Sequence, residues 1–144
     1  MNIQSDFSVL LIDDNPTEGT LARIAIRTVA PNANVQYFES GADAIVWLQQ
    51  LPDPIAFPDL MILDLNMPDI DGIEVLKLLK ATGLKQFPVY MISGSSYLGE
   101  ERLSLKCGAD AFYEKCHDYE DTVKLYEQIL PEFITKRSSN RLSA

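Results

Sequence analysis

MILDLNMPDIDG, Met61 to Gly72, decides how this chain folds. With Leu60 before it, the stretch opens on four apolar residues in a row, Leu60-Met61-Ile62-Leu63. Such a run reads as a strand covered on both faces, where a strand with one wet face would alternate apolar and polar residues. It ends on a carboxylate, Asp64, and Asn66, Met67-Pro68 and Asp71-Gly72 follow as turn residues. A core strand that stops on an acid needs a chemical reason for the acid.

Further runs of the same kind flank it. FSVLLI (Phe7–Ile12) leads into Asp13-Asp14, PVYMIS (Pro88–Ser93) ends on a serine, and DAFYEK (Asp110–Lys115) ends on a lysine. NVQYFE (Asn34–Glu39) alternates weakly and reads as nearer an edge. Between the runs lie helical patterns. Leu21, Ile24, Ala25, Thr28 and Val29 share one helical face, with Asn15 as cap and Pro16 in the first turn. Ile45, Leu48 and Leu51 form a stripe after Ser40-Gly41, closed by Pro52 and Pro54. Ile73, Leu76 and Leu79 follow Asp71-Gly72, with Gly83 as the stop. Between Ser95 and Cys107 the pattern is weakest, because Leu98, Leu103 and Leu105 make no clean stripe. Tyr119, Val123, Tyr126, Ile129-Leu130 and Phe133 define a last helix. Strand and helix thus alternate five times, and right-handed crossovers make this an open, doubly wound α/β sandwich with a five-stranded parallel sheet. The domain is expected over residues 1–134, with a polar, basic tail over 135–144 that frays.

Composition narrows the function. The chain has 144 residues, enough for one domain with a real core. A net charge of −9 argues against nucleic acid or an anionic membrane as main partner. Residues 1–134 are more acidic still, at −12, because three of the twelve basic residues lie in the last ten positions and none of the 21 acids does. No apolar run approaches the roughly 18 residues of a membrane helix, and MNIQSDF does not read as a signal peptide. Cys107 and Cys116 form no CxxC pair, so free thiols and a cytoplasmic location are expected.

In an open α/β sheet, ligands bind beyond the carboxyl ends of the strands. Those ends carry Asp13-Asp14, Asp64, Ser93 and Lys115. Two carboxylates about 4 Å apart repel by roughly 4 kcal/mol at an effective dielectric of about 20, so three together need a counter-ion. Hard oxygen ligands with room for water suit Mg²⁺. Phosphoryl transfer to a carboxylate fits this set, with metal, ammonium and hydroxyl neutralising the transferring oxygens.

The LIDDN segment, LDLNMPDIDG, the serine ending the fourth run and GADAFYEK occur together, in order. On these residues the chain, from about Phe7 to Phe133, resembles the receiver domain of two-component response regulators, of the single-domain, chemotaxis-receiver type. The resemblance implies a flavodoxin-like fold with strand order 2-1-3-4-5. It implies Asp64 as phospho-acceptor, Asp14 as direct Mg²⁺ ligand and Asp13 as the acid that orients the metal's water shell. Asn66 matches the position whose backbone carbonyl completes the metal site. Ser93 and Lys115 match the residues that bind the phosphoryl group, and Ser93 with Phe112 the switch pair. Pro68 and Gly72 match the turn after the acceptor. The implied partners are a sensor histidine kinase or histidine phosphotransfer protein and a downstream protein target. The implied output surface is the fourth helix, fifth strand and fifth helix, which also offers a homodimer contact. Neither direct nucleic-acid binding nor membrane insertion is implied, and the protein is expected to be a switch that catalyses only its own Mg²⁺-dependent phosphorylation and dephosphorylation. With Phe112 expected to favour burial and Gly94 loosening the loop, an active-like population is expected without phosphorylation.

Structural rivals exist for each residue. Asp13-Asp14 could serve only as helix-capping acids, Ser93 as a loop residue, Lys115 as a solvated lysine and Phe112 as core. Asp69 and Asp71 read as helix caps, Trp47, Tyr90 and Cys107 as packing, and His117 as a loop residue. One departure from the family pattern stands out. Cys116 replaces the proline expected after the lysine, so a trans bond is expected there. A thiol beside Lys115 is also expected to favour thiolate. Two other readings stay open: a degenerate scaffold that binds partners without phosphotransfer, and a phosphatase-like enzyme using Asp64 as covalent nucleophile.

Overall fold

The five runs assemble as one parallel sheet in the order β2-β1-β3-β4-β5. A computed structural model describes residues 3–94 and 98–143, without the side chains of Leu98 and 140–143. The strands are β1 (Phe7–Ile12), β2 (Ala33–Phe38), β3 (Leu60–Asp64), β4 (Val89–Ser93) and β5 (Ala111–Glu114). The helices are α1 (Pro16–Val29), α2 (Gly41–Gln49), α3 (Gly72–Ala81), α4 (Leu98–Lys106) and α5 (Tyr119–Ser143). This is the doubly wound, flavodoxin-like order expected from the sequence.

The continuous apolar strands feed two cores, because alternate residues point to opposite faces. Val9, Leu11, Ile62, Tyr90 and Ile92 face α1 and α5. Leu10, Ile12, Met61, Leu63, Val89 and Met91 face α2 and α3. β1, β3 and β4 therefore have both faces dry, and their carboxyl ends are fixed in the parallel register Ile12↔Leu63 and Asp64↔Ile92.

Local chemistry sets the helix starts as read. Asn15 accepts from the amides of Thr17 and Glu18 with Pro16 in the first turn, and Asp71 accepts from the amide of Glu74. Gly83, at φ +72°, ends the turn after α3.

One expectation needs correction. The buried face of α1 is Gly19, Ala22, Ala25, Ile26 and Val29, with Ile24 and Thr28 exposed. Small residues win because the helix lies close to β2, and the Tyr37 ring fills the space a Cβ at Gly19 would need. Helix α5 continues to Ser143. Pro131 removes one backbone donor inside the helix. Leu130 and Phe133, both buried, anchor it on either side, and Arg137 reaches the carbonyl of Asp6 at 3.2 Å. The described part of α4 begins at Leu98; Ser95–Tyr97, within the expected helix, lie outside the described residues. Leu103 and Leu105 of α4 are exposed, which is why its sequence shows no stripe.

Candidate functional site

The ends of β1 and β3 bring the acids together. Asp13 and Asp14 leave β1, Asp64 ends β3, and one oxygen of each lies within 4.8 Å of the others. Asp13 and Asp64 are buried, while Asp14 is half-buried. The Asn15 amide donates to Asp13 Oδ1 at 2.9 Å, and the Asn66 amide to Asp64 Oδ1 at 3.2 Å. Tyr37 pins the β1 end by donating to the Asp13 carbonyl at 2.8 Å. Below the acids, the turn after β3 comes so close that a Cβ on Gly72 would lie 2.8 Å from the Asp64 carbonyl and from Met91 Sδ. Gly72 is needed there for space.

Lys115 supplies the positive charge. Its backbone amide donates to the Ser93 carbonyl at 2.7 Å, which ties the end of β5 to that of β4. Its Nζ lies 2.8 Å from Asp13 Oδ2 and 3.3 Å from Asp64 Oδ2, and it also contacts Glu18 Oε2. Burial by itself would lower the lysine's pKa, but bonds to Asp13 and Glu18 and the charge of Asp64 outweigh it and raise the pKa well above the usual range. Burial pushes the Asp64 carboxyl up to about 7, with Lys115 opposing and Asp13 reinforcing the shift. Three carboxylates thus meet one ammonium, with Asp14 beside two of them. An all-oxygen set left with excess negative charge fits a hard divalent cation, and Asp13, Asp14 and Asp64 are the residues that could hold it.

The remaining expected residues lie on the other side of Asp64. Ser93, fully buried, accepts from Asn66 Nδ2 at 3.2 Å and donates to Glu100 Oε2 at 3.0 Å. Phe112 is half-buried, pairs with Met91 across the sheet, and packs against the α2/α3 core. Asp69 bonds Ser40 at 3.1 Å rather than joining the acids. Trp47 packs at a tilt against Phe38 and Tyr90 against Tyr113, while His117 is exposed.

Two acids escaped the sequence reading. Glu18 lies in the first turn of α1, three residues after the cap Asn15, and that position next to the β1 end was the available signal. Glu100 is seven residues beyond Ser93 across a loop, a separation that carries no signal. No cis peptide bond occurs among the described residues, in line with Cys116 in place of proline. The thiolate expectation fails: burial, then Asp121, Asp118 and Glu114, push the Cys116 thiol up.

Behind the acids a cavity of about 30 Å³, lined by Asp13, Glu18, Asp64, Lys115, Cys116 and Tyr126 among others, has room for a water but not for a small-molecule substrate.

Residues 9–127 match the response regulator receiver domain family, and the chain belongs to it. It is a receiver of the kind used in two-component signalling. The nitrate/nitrite response regulator protein NarL of Escherichia coli K12 is 33% identical over 128 residues, 89% of this chain. The chain spans 56% of NarL, so it corresponds to part of that protein. The response regulator Rcp1 of Synechocystis is 27% identical over 124 residues, 84% of either chain. A crystal structure of Rcp1 in an Mn(2+)-bound form superposes with a TM-score of 0.73 at 26% identity, over 85% of this chain and 91% of that one. The phosphorylated cyanobacterial phytochrome response regulator RcpA superposes at 0.79 with 26% identity, over 92% of this chain and 96% of that one. No helix among the described residues is long and apolar enough to cross a membrane.

Proposed function

We propose that the protein is a phosphorylation switch in which Asp64 accepts a phosphoryl group. The observation that carries this is the buried Asp64 carboxylate, held 3.3 Å from the Lys115 ammonium within an oxygen cluster of Asp13 and Asp14. An Asp64 oxygen attacks the phosphorus of a phosphohistidine on a sensor kinase or phosphotransfer protein. The new O–P bond forms as the P–N bond breaks. The electron pair stays on the imidazole, which leaves neutral because its other nitrogen carries a proton. Lys115 pairs with one phosphoryl oxygen and the Ser93 hydroxyl with another. Asp13, Asp14, Asp64 and the Asn66 carbonyl would hold a Mg²⁺ ion, which would supply positive charge to the transferring group and favour the ionised form of Asp64. Rcp1, described in an Mn(2+)-bound form, and RcpA, described as phosphorylated, support the reading by similarity. The changed surface of α4, β5 and α5 is then read by another protein or a second copy, and Phe112 transmits the movement of Ser93.

Incubation with acetyl phosphate and Mg²⁺, followed by intact mass, tests this. Wild type gains one phosphoryl mass and Asp64→Asn gains none; full modification of the variant sinks the assignment.

A further inference from the structure

Ser93 is engaged before any phosphoryl group arrives. Its hydroxyl, fully buried, donates to Glu100 Oε2 at 3.0 Å while accepting from Asn66 Nδ2 at 3.2 Å. A hydroxyl has one proton to give, and a bond to a carboxylate is charge-assisted and stronger than a neutral one. Any new acceptor must therefore displace Glu100. Glu100 lies in the first turn of α4. Of that helix's described side chains, only Ser104 is buried.

We propose that Glu100 is a positioning residue for Ser93, holding the hydroxyl that a phosphoryl group on Asp64 must recruit and releasing the first turn of α4 when it loses it. The inference rests on Asp64 being the acceptor. A phosphoryl group carries close to two negative charges and strong acceptor oxygens, so it competes for the Ser93 proton. The exchange has two consequences. Glu100 raises the cost of phosphorylation, because the Ser93–Glu100 bond is lost. It also gives the site a direct grip on α4, the helix least held by apolar contacts and a part of the output surface.

The test is beryllofluoride binding with Mg²⁺, followed by ¹⁹F NMR, in a double-mutant cycle. Glu100→Ala is expected to tighten beryllofluoride about tenfold, and the isosteric Glu100→Gln, which keeps an acceptor without the charge, about threefold. In a Ser93→Ala background Glu100→Ala should change the affinity less than about twofold, because the effect runs through the hydroxyl. Equal affinity in wild type and both Glu100 variants overturns the proposal, as does the same tightening in the Ser93→Ala background. The Gln variant carries the test if the Ala variant fails to fold. Wild type that neither binds beryllofluoride nor gains a phosphoryl mass removes the Asp64 reading and this one together. Wild type that does both, with Glu100 variants identical to it, removes this one alone.

Discussion

Helix α5 buries Tyr126, Ile129, Leu130 and Phe133 against the sheet, whereas α4 exposes Leu103 and Leu105 and buries only Ser104 among its described side chains. The functional site inherits the contrast. On the α1/α5 side, Lys115 is locked by Asp13, Glu18 and Asp64, all anchored at the ends of well-packed elements. On the α4 side, Ser93 sits on a rigid strand, but its partner Glu100 belongs to a helix with little apolar attachment. Stability differs across a structure in this way wherever buried apolar contacts are unevenly shared. The packing thus gives the site one wall backed by buried apolar side chains and one wall, among the described residues, with few of them.

The largest effect is expected on the apolar-backed wall. Tyr126→Ala should cost about 3–5 kcal/mol in denaturant unfolding, the range for truncating a buried aromatic. A loss under about 1 kcal/mol would show that α5 is not the anchor the packing makes it.

Next comes the metal. Asp14→Ala should weaken Mg²⁺ at least about tenfold, or roughly 1.4 kcal/mol, in an NMR titration. Unchanged affinity would mean that Asp13 and Asp64 hold the ion without it and that the proposed ligand set is wrong.

A smaller effect follows from the Asp64 carboxyl, pushed up to about 7 mainly by burial. An acid whose folded pKa lies above its unfolded value holds a proton in the folded state that the unfolded chain releases. Its contribution therefore favours folding at low pH and is lost as pH rises from about 4 to about 7. In EDTA, Asp64→Asn should remove that slope and melt higher than wild type near neutral pH, by roughly 3 °C for about 1 kcal/mol. Parallel pH profiles for the two proteins would show that Asp64 ionises without penalty in the fold.

The smallest effect belongs to the sparsely backed wall. Leu103→Ala should change stability by no more than about 0.5 kcal/mol, as an exposed side chain away from caps and cores does. A loss comparable with that of Tyr126→Ala would erase the contrast between the two helices.

Strands were the easiest part to read. β1, β3 and β4 are covered on both faces, so unbroken apolar runs mark them regardless of context, and the residues ending each run then fall at one edge of the sheet. Asp13, Asp14, Asp64, Ser93 and Lys115 were legible for that reason. The buried face of α1 was less so. Gly19, Ala22 and Ala25 are buried where Ile24 is exposed, and at Gly19 the Tyr37 ring leaves no room for a side chain, which hydrophobicity along the chain does not report. The run of α5 beyond Ile134 was not legible either, since Arg137 reaches the Asp6 carbonyl, far away in sequence.

Sequence by itself therefore determined the alternation of strand and helix, the parallel sheet and the acids at its edge, all of which follow from local periodicity and the chain order of the strand ends. Tertiary structure alone decided that Lys115 is shared among Asp13, Glu18 and Asp64, and that the Ser93 proton goes to Glu100. Those pairings depend on how far side chains from separate elements reach across the ends of the sheet, a distance that only packing sets.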